Sequence, residues 1–230
     1  MRDATIVLII LTTMVGCNQG TSTTTTSSSA PQQYLALGDS YTIGESVDPS
    51  ERYPVQLARM LRGEGIDLGD PQIIARTGWT TDELSRAMDA AAPKGPYRLV
   101  TLLIGVNNQF RGRSAEEFRG QFDALLQRSI ELAGGNAGHV IVLSIPDWGM
   151  MPFAEGRDRA QIGREIDQFN AVCAEQCKAR NVTFIDITPI SRNASGDPSL
   201  IAGDGLHPSG KQYQQWARAA SSAAKAATSR

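Results

Sequence analysis

Histidine is almost missing from this chain. Only His139 and His207 occur in 230 residues. A metal centre built on several imidazoles is excluded by that inventory, and any imidazole-dependent chemistry has two candidates. Cysteine is nearly as scarce, at three residues, which rules out a disulfide-stapled scaffold. Cys173 and Cys177 lie one helical turn apart on an apolar stripe, a spacing that suits buried free thiols better than a disulfide. Charge of one sign is lacking too: 22 basic against 24 acidic residues give a net charge of −2. No basic run or basic–aromatic interleaving appears, so a nucleic-acid partner is not expected. No apolar stretch reaches the roughly 20 residues that span a bilayer. No Gly-x-Ser-x-Gly elbow and no phosphate loop ending in Gly-Lys-Ser/Thr is present. Gly63-Glu64-Gly65 with Gly69 follows a helical pattern rather than a strand, and reads as a cap and turn. No cofactor and no metal are expected.

The first residues carry one Arg, an apolar run from Ala4 to Val15, and then Met14-Val15-Gly16-Cys17. This resembles a bacterial lipoprotein signal, in which the Cys becomes lipidated and N-terminal after cleavage. An ordinary signal peptide cut nearby is the alternative. Thr21 to Ser29 are all Thr or Ser, a composition with nothing to bury against its own ordering entropy. Residues 1–16 are therefore expected to be a signal peptide, 17–32 a disordered tether starting at the lipidation site Cys17, and 33–226 the folded domain. The expected location is the bacterial cell envelope, through that lipid anchor. Asn18 after the Cys leans towards the outer membrane if the host is Gram-negative.

From Gln33 onward, short β-rich runs alternate with helical stretches. Strands are predicted at 34–37, 72–75, 98–104, 140–145 and 183–187. Helices are predicted after Tyr53, after the capping-box pairs Thr80/Glu83 and Ser114/Glu117, along Ile162–Cys177, and around Tyr213–Ala220. Five strands separated by helices imply an α/β fold, a parallel sheet with helices on both faces. Chemistry in such a sheet gathers beyond the carboxyl ends of the strands.

Four segments fall there: Gly38-Asp39-Ser40, Thr77-Gly78-Trp79, Gly105-Val106-Asn107-Asn108, and Asp204-Gly205-Leu206-His207, the last read as following the fifth strand. A serine hydroxyl needs a base within hydrogen-bond reach to act as a nucleophile. An imidazole oriented by a carboxylate is such a base. The oxyanion that forms needs fixed donors, which a glycine-flanked backbone N–H and an Asn amide can supply. His139 precedes the fourth strand, on the wrong edge of the sheet for this work.

In order and spacing, the four segments resemble the conserved blocks of the SGNH (GDSL-type) hydrolases, over Leu35 to about Trp216. The resemblance implies a flavodoxin-like three-layer α/β/α fold and a serine esterase or acylhydrolase. It implies Ser40, Asp204 and His207 as the catalytic residues, and Ser40, Gly78 and Asn107 as the oxyanion hole. Many members carry Asp where this chain has Asn108. The substrate is expected to be a small-molecule, lipid or carbohydrate ester, with O-deacetylation or acyl transfer as alternatives on the same site, and a non-catalytic envelope binding module as the alternative from another class. Trp79, Phe110, Trp148 and Met151 lie on neighbouring loops and are expected to line an acyl pocket.

Overall fold

The computed structural model describes Met1 and residues 32–229. The expected signal peptide, Cys17 and all of the tether except Gln32 lie outside the described residues. Gln32 already belongs to the domain, its N–H donating to the Asp67 carbonyl at 2.8 Å.

The domain alternates β1 (Tyr34–Gly38), α1 (Ser40–Ile43), α2 (Tyr53–Gly63), β2 (Gln72–Ala75), α3 (Thr81–Ala91), β3 (Leu99–Leu103), α4 (Val106–Phe110), α5 (Ala115–Leu132), β4 (Val140–Leu143), α6 (Arg159–Ala179), β5 (Thr183–Ile185), α7 (Thr188–Asn193) and α8 (Gly210–Thr228). All five strands pair in parallel, in the order β2-β1-β3-β4-β5. β1, β3 and β4 are apolar along nearly their whole length and fully buried, as expected of strands covered on both faces. α2 packs on α8, while α5 packs on α3 and α6, forming the two helical layers. Tyr41, Tyr53, Tyr213 and Trp216 stack together beneath the first layer. Phe118, Phe122 and Phe169 do so beneath the second. Each such ring contributes ~1.5–3 kcal/mol on burial.

Helix starts follow their capping residues. Thr80 and Glu83 form the full capping box, Ser114 Oγ accepts from the Glu117 amide at 3.1 Å, and Ser209 caps α8. Strand ends are shorter than the sequence pattern suggests. After β4 the Ile145 amide donates to Asn170 Oδ1 at 2.7 Å, and after β5 the Ile187 amide donates to Ser144 Oγ at 2.8 Å. Side chains thus take over the backbone groups that a longer ladder would have used. The short helices α1, α4 and α7 do not announce themselves by periodicity, because four to six residues are too few to show one. α8 runs on to Thr228, past the expected boundary at residue 226.

The chain goes from β1 outward to β2, then crosses back past β1 to β3. This reversal opens a crevice beyond the carboxyl ends of β1 and β3, where open α/β sheets bind ligands.

Candidate active site

Ser40 lies at that crevice because β1 ends in a glycine that nothing larger can replace. A Cβ on Gly38 would collide with the Leu103 carbonyl oxygen of β3 and with the Thr42 side chain of α1. Asp39 then caps α1, its Oδ1 accepting from the Tyr41 amide at 3.0 Å, and Ser40 is the first helical residue. Burial pushes the Asp39 carboxyl up to about 7, against the hydrogen bonds from the Tyr41 and Asp39 amides. The turn that carries Ser40 is closed by Gly44, whose N–H donates back to the Ser40 carbonyl.

His207 comes from a different place than the sequence pattern suggests. The 204–207 segment does not follow β5 directly: α7 and two short 3-10 turns (Ala194–Gly196 and Pro198–Leu200) intervene, and the segment leads into α8. The turn still brings carboxylate to ring. His207 Nδ1 and Asp204 Oδ2 are 2.6 Å apart, while Asp204 Oδ1 accepts from the Leu206 and His207 amides, each at 2.9 Å. With Nδ1–H on the carboxylate, Nε2 is left as the acceptor. Burial raises the Asp204 carboxyl, but the hydrogen bonds from Ser46, from the His207 ring and amide and from the Leu206 amide outweigh it and hold the group well below the usual carboxylate range. His207 meets the Tyr41 ring edge-on, with centroids 5.4 Å apart.

Asn107 sits on α4, just beyond β3, and its Nδ2 donates to the Trp79 carbonyl at 2.9 Å. A primary amide carries two N–H groups, so one remains for a ligand. Asn108 is buried, accepts from the Thr81 amide at 3.0 Å and donates to the Thr81 hydroxyl at 2.7 Å. Asn thus supplies a donor that a carboxylate in its place would lack, and it ties α4 to the start of α3. Gly78 takes a left-handed φ of 84°. Its carbonyl accepts from Arg111 Nη2 at 2.6 Å, and Arg111 also reaches Glu83 of the capping box at 3.1 Å. Thr77 donates to the Glu45 carboxylate. The 77–80 loop is therefore pinned from several sides.

A cavity of about 180 Å³ collects Ser40, Tyr41, Val106, Asn107, Phe110, Trp148, Phe153, Leu206 and His207. Among the described residues Ser40 Oγ makes no hydrogen bond to the ring, although both line this cavity; such bonds are often long until substrate tightens them. Asp204 stands behind His207, and Gly78 is joined to the cavity wall through Trp79 and Asn107. The Trp148 indole N–H donates to Gln109 Oε1 at 2.8 Å, and Gln109 donates to Glu165 of α6 at 2.6 Å, which fixes the ring against the wall.

Two of the four expected pocket residues, Trp79 and Met151, lie outside the lining of this cavity. Met151 turns inward to a small satellite cluster with Ala194 and Leu200, because the 3-10 turn at Trp148–Met150 sends successive side chains in different directions. Trp79 packs against the main core and offers the site its carbonyl, not its ring. Phe153, from the same loop as Trp148, lines the cavity. Sequence reasoning also missed Ser46 and Arg111. Ser46 has a left-handed φ of 65° and donates to Asp204 Oδ2 at 2.6 Å. Nothing local in the sequence marks it, since its partner is 158 residues away. His139 is buried at the opposite end of β4, with Nε2 3.2 Å from Arg98 and 3.1 Å from Asn136. Cys173 and Cys177 are buried free thiols. No group of three or more His, Cys, Asp or Glu side chains converges on a common point among the described residues.

Against known proteins, the GDSL-like Lipase/Acylhydrolase family matches residues 36–215. No curated protein sequence matches the chain. Solved structures do. A lipase/acylhydrolase from Enterococcus faecalis superposes with a TM-score of 0.64 at 20% identity, covering 84% of this chain and 95% of that one. The psychrotrophic esterase EstA from Pseudoalteromonas sp., inhibited by monoethylphosphonate, gives 0.63 at 18% identity over 81% and 92%. An acetylxylan esterase from Geobacillus stearothermophilus gives 0.62 at 19% identity over 84% and 94%. At these identities the likeness is one of fold.

Proposed function

The chain belongs to the GDSL-like lipase/acylhydrolase family, and we propose that it is a serine esterase that cleaves carboxylic esters through an acyl-enzyme on Ser40. The observation that carries this reading is the 2.6 Å His207–Asp204 contact in the wall of the cavity that also holds Ser40. In this mechanism Ser40 Oγ attacks the ester carbonyl as His207 Nε2 takes its proton. The oxyanion is received by the Ser40 and Gly78 backbone N–H groups and the second N–H of Asn107 Nδ2. Collapse breaks the ester bond, and His207 returns the proton to the departing alcohol. Water, activated by the same ring, then releases the acid. An acceptor alcohol in place of that water would make the same site a transferase. The reading extends to the cell envelope through Cys17, on the strength of the N-terminal sequence alone.

The cavity, at about 180 Å³, favours short acyl groups, including the acetyl esters of carbohydrates. Purified protein should turn over nitrophenyl acetate and butyrate with no added metal, and decanoate poorly. Replacing Trp148 by Ala strips an apolar ring from the wall and removes its Gln109 contact. Losses should then be larger on butyrate than on acetate, read as kcat/KM; equal losses would remove the support for an acyl pocket.

Ser46 has a positioning role in this scheme, because it shares Asp204 Oδ2 with the His207 ring. In Ser46→Ala the carboxylate loses one donor and is freer to rotate. The expected result is kcat lowered about tenfold with KM little changed, in the range of a lost hydrogen bond to a charged group. Ser46→Gly should show the same loss while melting no lower than wild type, since glycine takes the left-handed φ without strain. A kcat equal to wild type in both variants would assign Ser46 to the loop alone.

A further inference from the structure

Arg157 stands over three rings of the cavity wall at once. Its Cζ is 5.3 Å from the Phe110 centroid, 5.3 Å from Trp148 and 5.4 Å from Phe153. The three rings pack on one another, with centroids 5.3, 6.1 and 6.4 Å apart. Among the described residues of the domain, Phe110 and Phe153 are the large apolar side chains left exposed, at 46% and 43%, and both line the cavity, so the triangle forms part of its mouth. The segment is held in place. The Phe153 amide donates to the Gly205 carbonyl at 3.0 Å, beside His207, and the Arg157 amide donates to Ala154 at 3.1 Å.

A cation–π contact uses the face of a guanidinium and leaves its in-plane N–H donors free. Most arginines near the site end on carboxylates: Arg111 on Glu83, Arg113 on Asp82, Arg192 on Asp147 and Asp167. Among the described residues the Arg157 guanidinium makes no ion pair and no hydrogen bond. Of the two acids beside it in sequence, Asp158 is committed to capping α6 at the Gln161 amide, 2.9 Å away, and Glu155 is exposed and unpaired. A planar cation is thus stacked on the wall of an ester cavity, with its hydrogen-bonding edge unmatched by the protein.

We infer that Arg157 and the Phe110–Trp148–Phe153 triangle form an anion subsite at the cavity mouth, which reads a carboxylate or phosphate carried by the ester substrate. The inference rests on the esterase reading and names its substrate class: anionic esters ahead of neutral ones. Guanidinium pairs such oxygens in a bidentate fork that lysine cannot reproduce. A charge at a rim also speeds encounter, so the preference should weaken as salt screens it.

The test measures kcat/KM of the wild-type protein, Arg157→Gln, Arg157→Lys and Arg157→Glu on two matched substrate pairs. Ethyl butyrate against monoethyl succinate puts the anion on the acyl side. Monobutyrylglycerol against its glycerol phosphate puts it on the alcohol side. In at least one pair the wild type should prefer the anionic ester, and Arg157→Gln should lower that member about tenfold while leaving the neutral one within about twofold. Arg157→Lys should fall between the two, Arg157→Glu should reverse the preference, and the discrimination should shrink with added salt. Equal losses on both members, or no change in either pair, overturn the subsite and leave the esterase reading standing. Turnover that survives in Ser40→Ala overturns the esterase reading, and the subsite with it.

Discussion

Replacing Ser40 by Ala removes ester turnover, with kcat expected to fall by about 10⁵–10⁶-fold, the scale seen when a serine nucleophile is deleted from a triad. The loss is that large because no other group in the cavity can take over. Tyr41 is the other hydroxyl in the lining, and burial, first of all, with the Asp39 carboxylate beside it, raises its phenol far above the usual range. The fold should hardly notice the change. Ser40 Oγ makes no hydrogen bond among the described residues, and the cap on α1 comes from Asp39. The melting temperature of the variant should therefore match wild type while nitrophenyl acetate hydrolysis disappears. Activity that persists at wild-type level would mean that the 38–40 turn is only a turn.

Asp204→Asn should cost kcat about 10⁴-fold, as an amide in this position does elsewhere in serine hydrolases. The amide oxygen can still accept from the Leu206 and His207 amides, as Oδ1 does now. The other terminus becomes an NH₂ facing His207 Nδ1 and Ser46, two groups that need an acceptor. The ring then carries its proton on Nε2, where the Ser40 hydroxyl needs a lone pair. In the wild type, the strong downward pull on the Asp204 carboxyl keeps it ionised through the neutral and weakly acidic range. A fall in rate within that range therefore does not come from protonation of this carboxylate. The linkage runs the same way: a carboxyl depressed in the folded state favours folding above its unfolded pKa, and that contribution fades as pH drops through the carboxylate range. A loss below tenfold in Asp204→Asn would mean that the carboxylate does not set the tautomer.

Most of this fold is written in short-range signals. The apolar runs of β1, β3 and β4, the Thr80–Glu83 box and the Ser114 cap are each decided within a few residues, and each stands where the pattern puts it. The side chains of Ser40 and Asn107 meet because β1 and β3 are neighbours where the sheet order reverses, while His207 joins them from the segment ahead of α8, which the alternation of strands and helices does not show. Contacts that join distant loops are different. Ser46 reaches Asp204, Arg111 reaches Gly78, and Arg157 settles on three rings, through geometry that no local pattern encodes. Met151 and Trp79 stand outside the cavity lining for a related reason. Residue type and loop membership bring them near the site, but which way a side chain points depends on turns, such as the 3-10 turn at Trp148–Met150, too short to show a period.

Whether His207 activates the Ser40 hydroxyl in this cavity is decided by covalent trapping. A fluorophosphonate reacts only with an activated serine and leaves a stable adduct on its oxygen. The expected result is one adduct per chain, mapped by peptide mass spectrometry to Ser40, and sharply slowed labelling in His207→Ala. An unlabelled protein, an adduct on any other residue, or labelling of Ser40 that proceeds as fast without the His207 ring would contradict it.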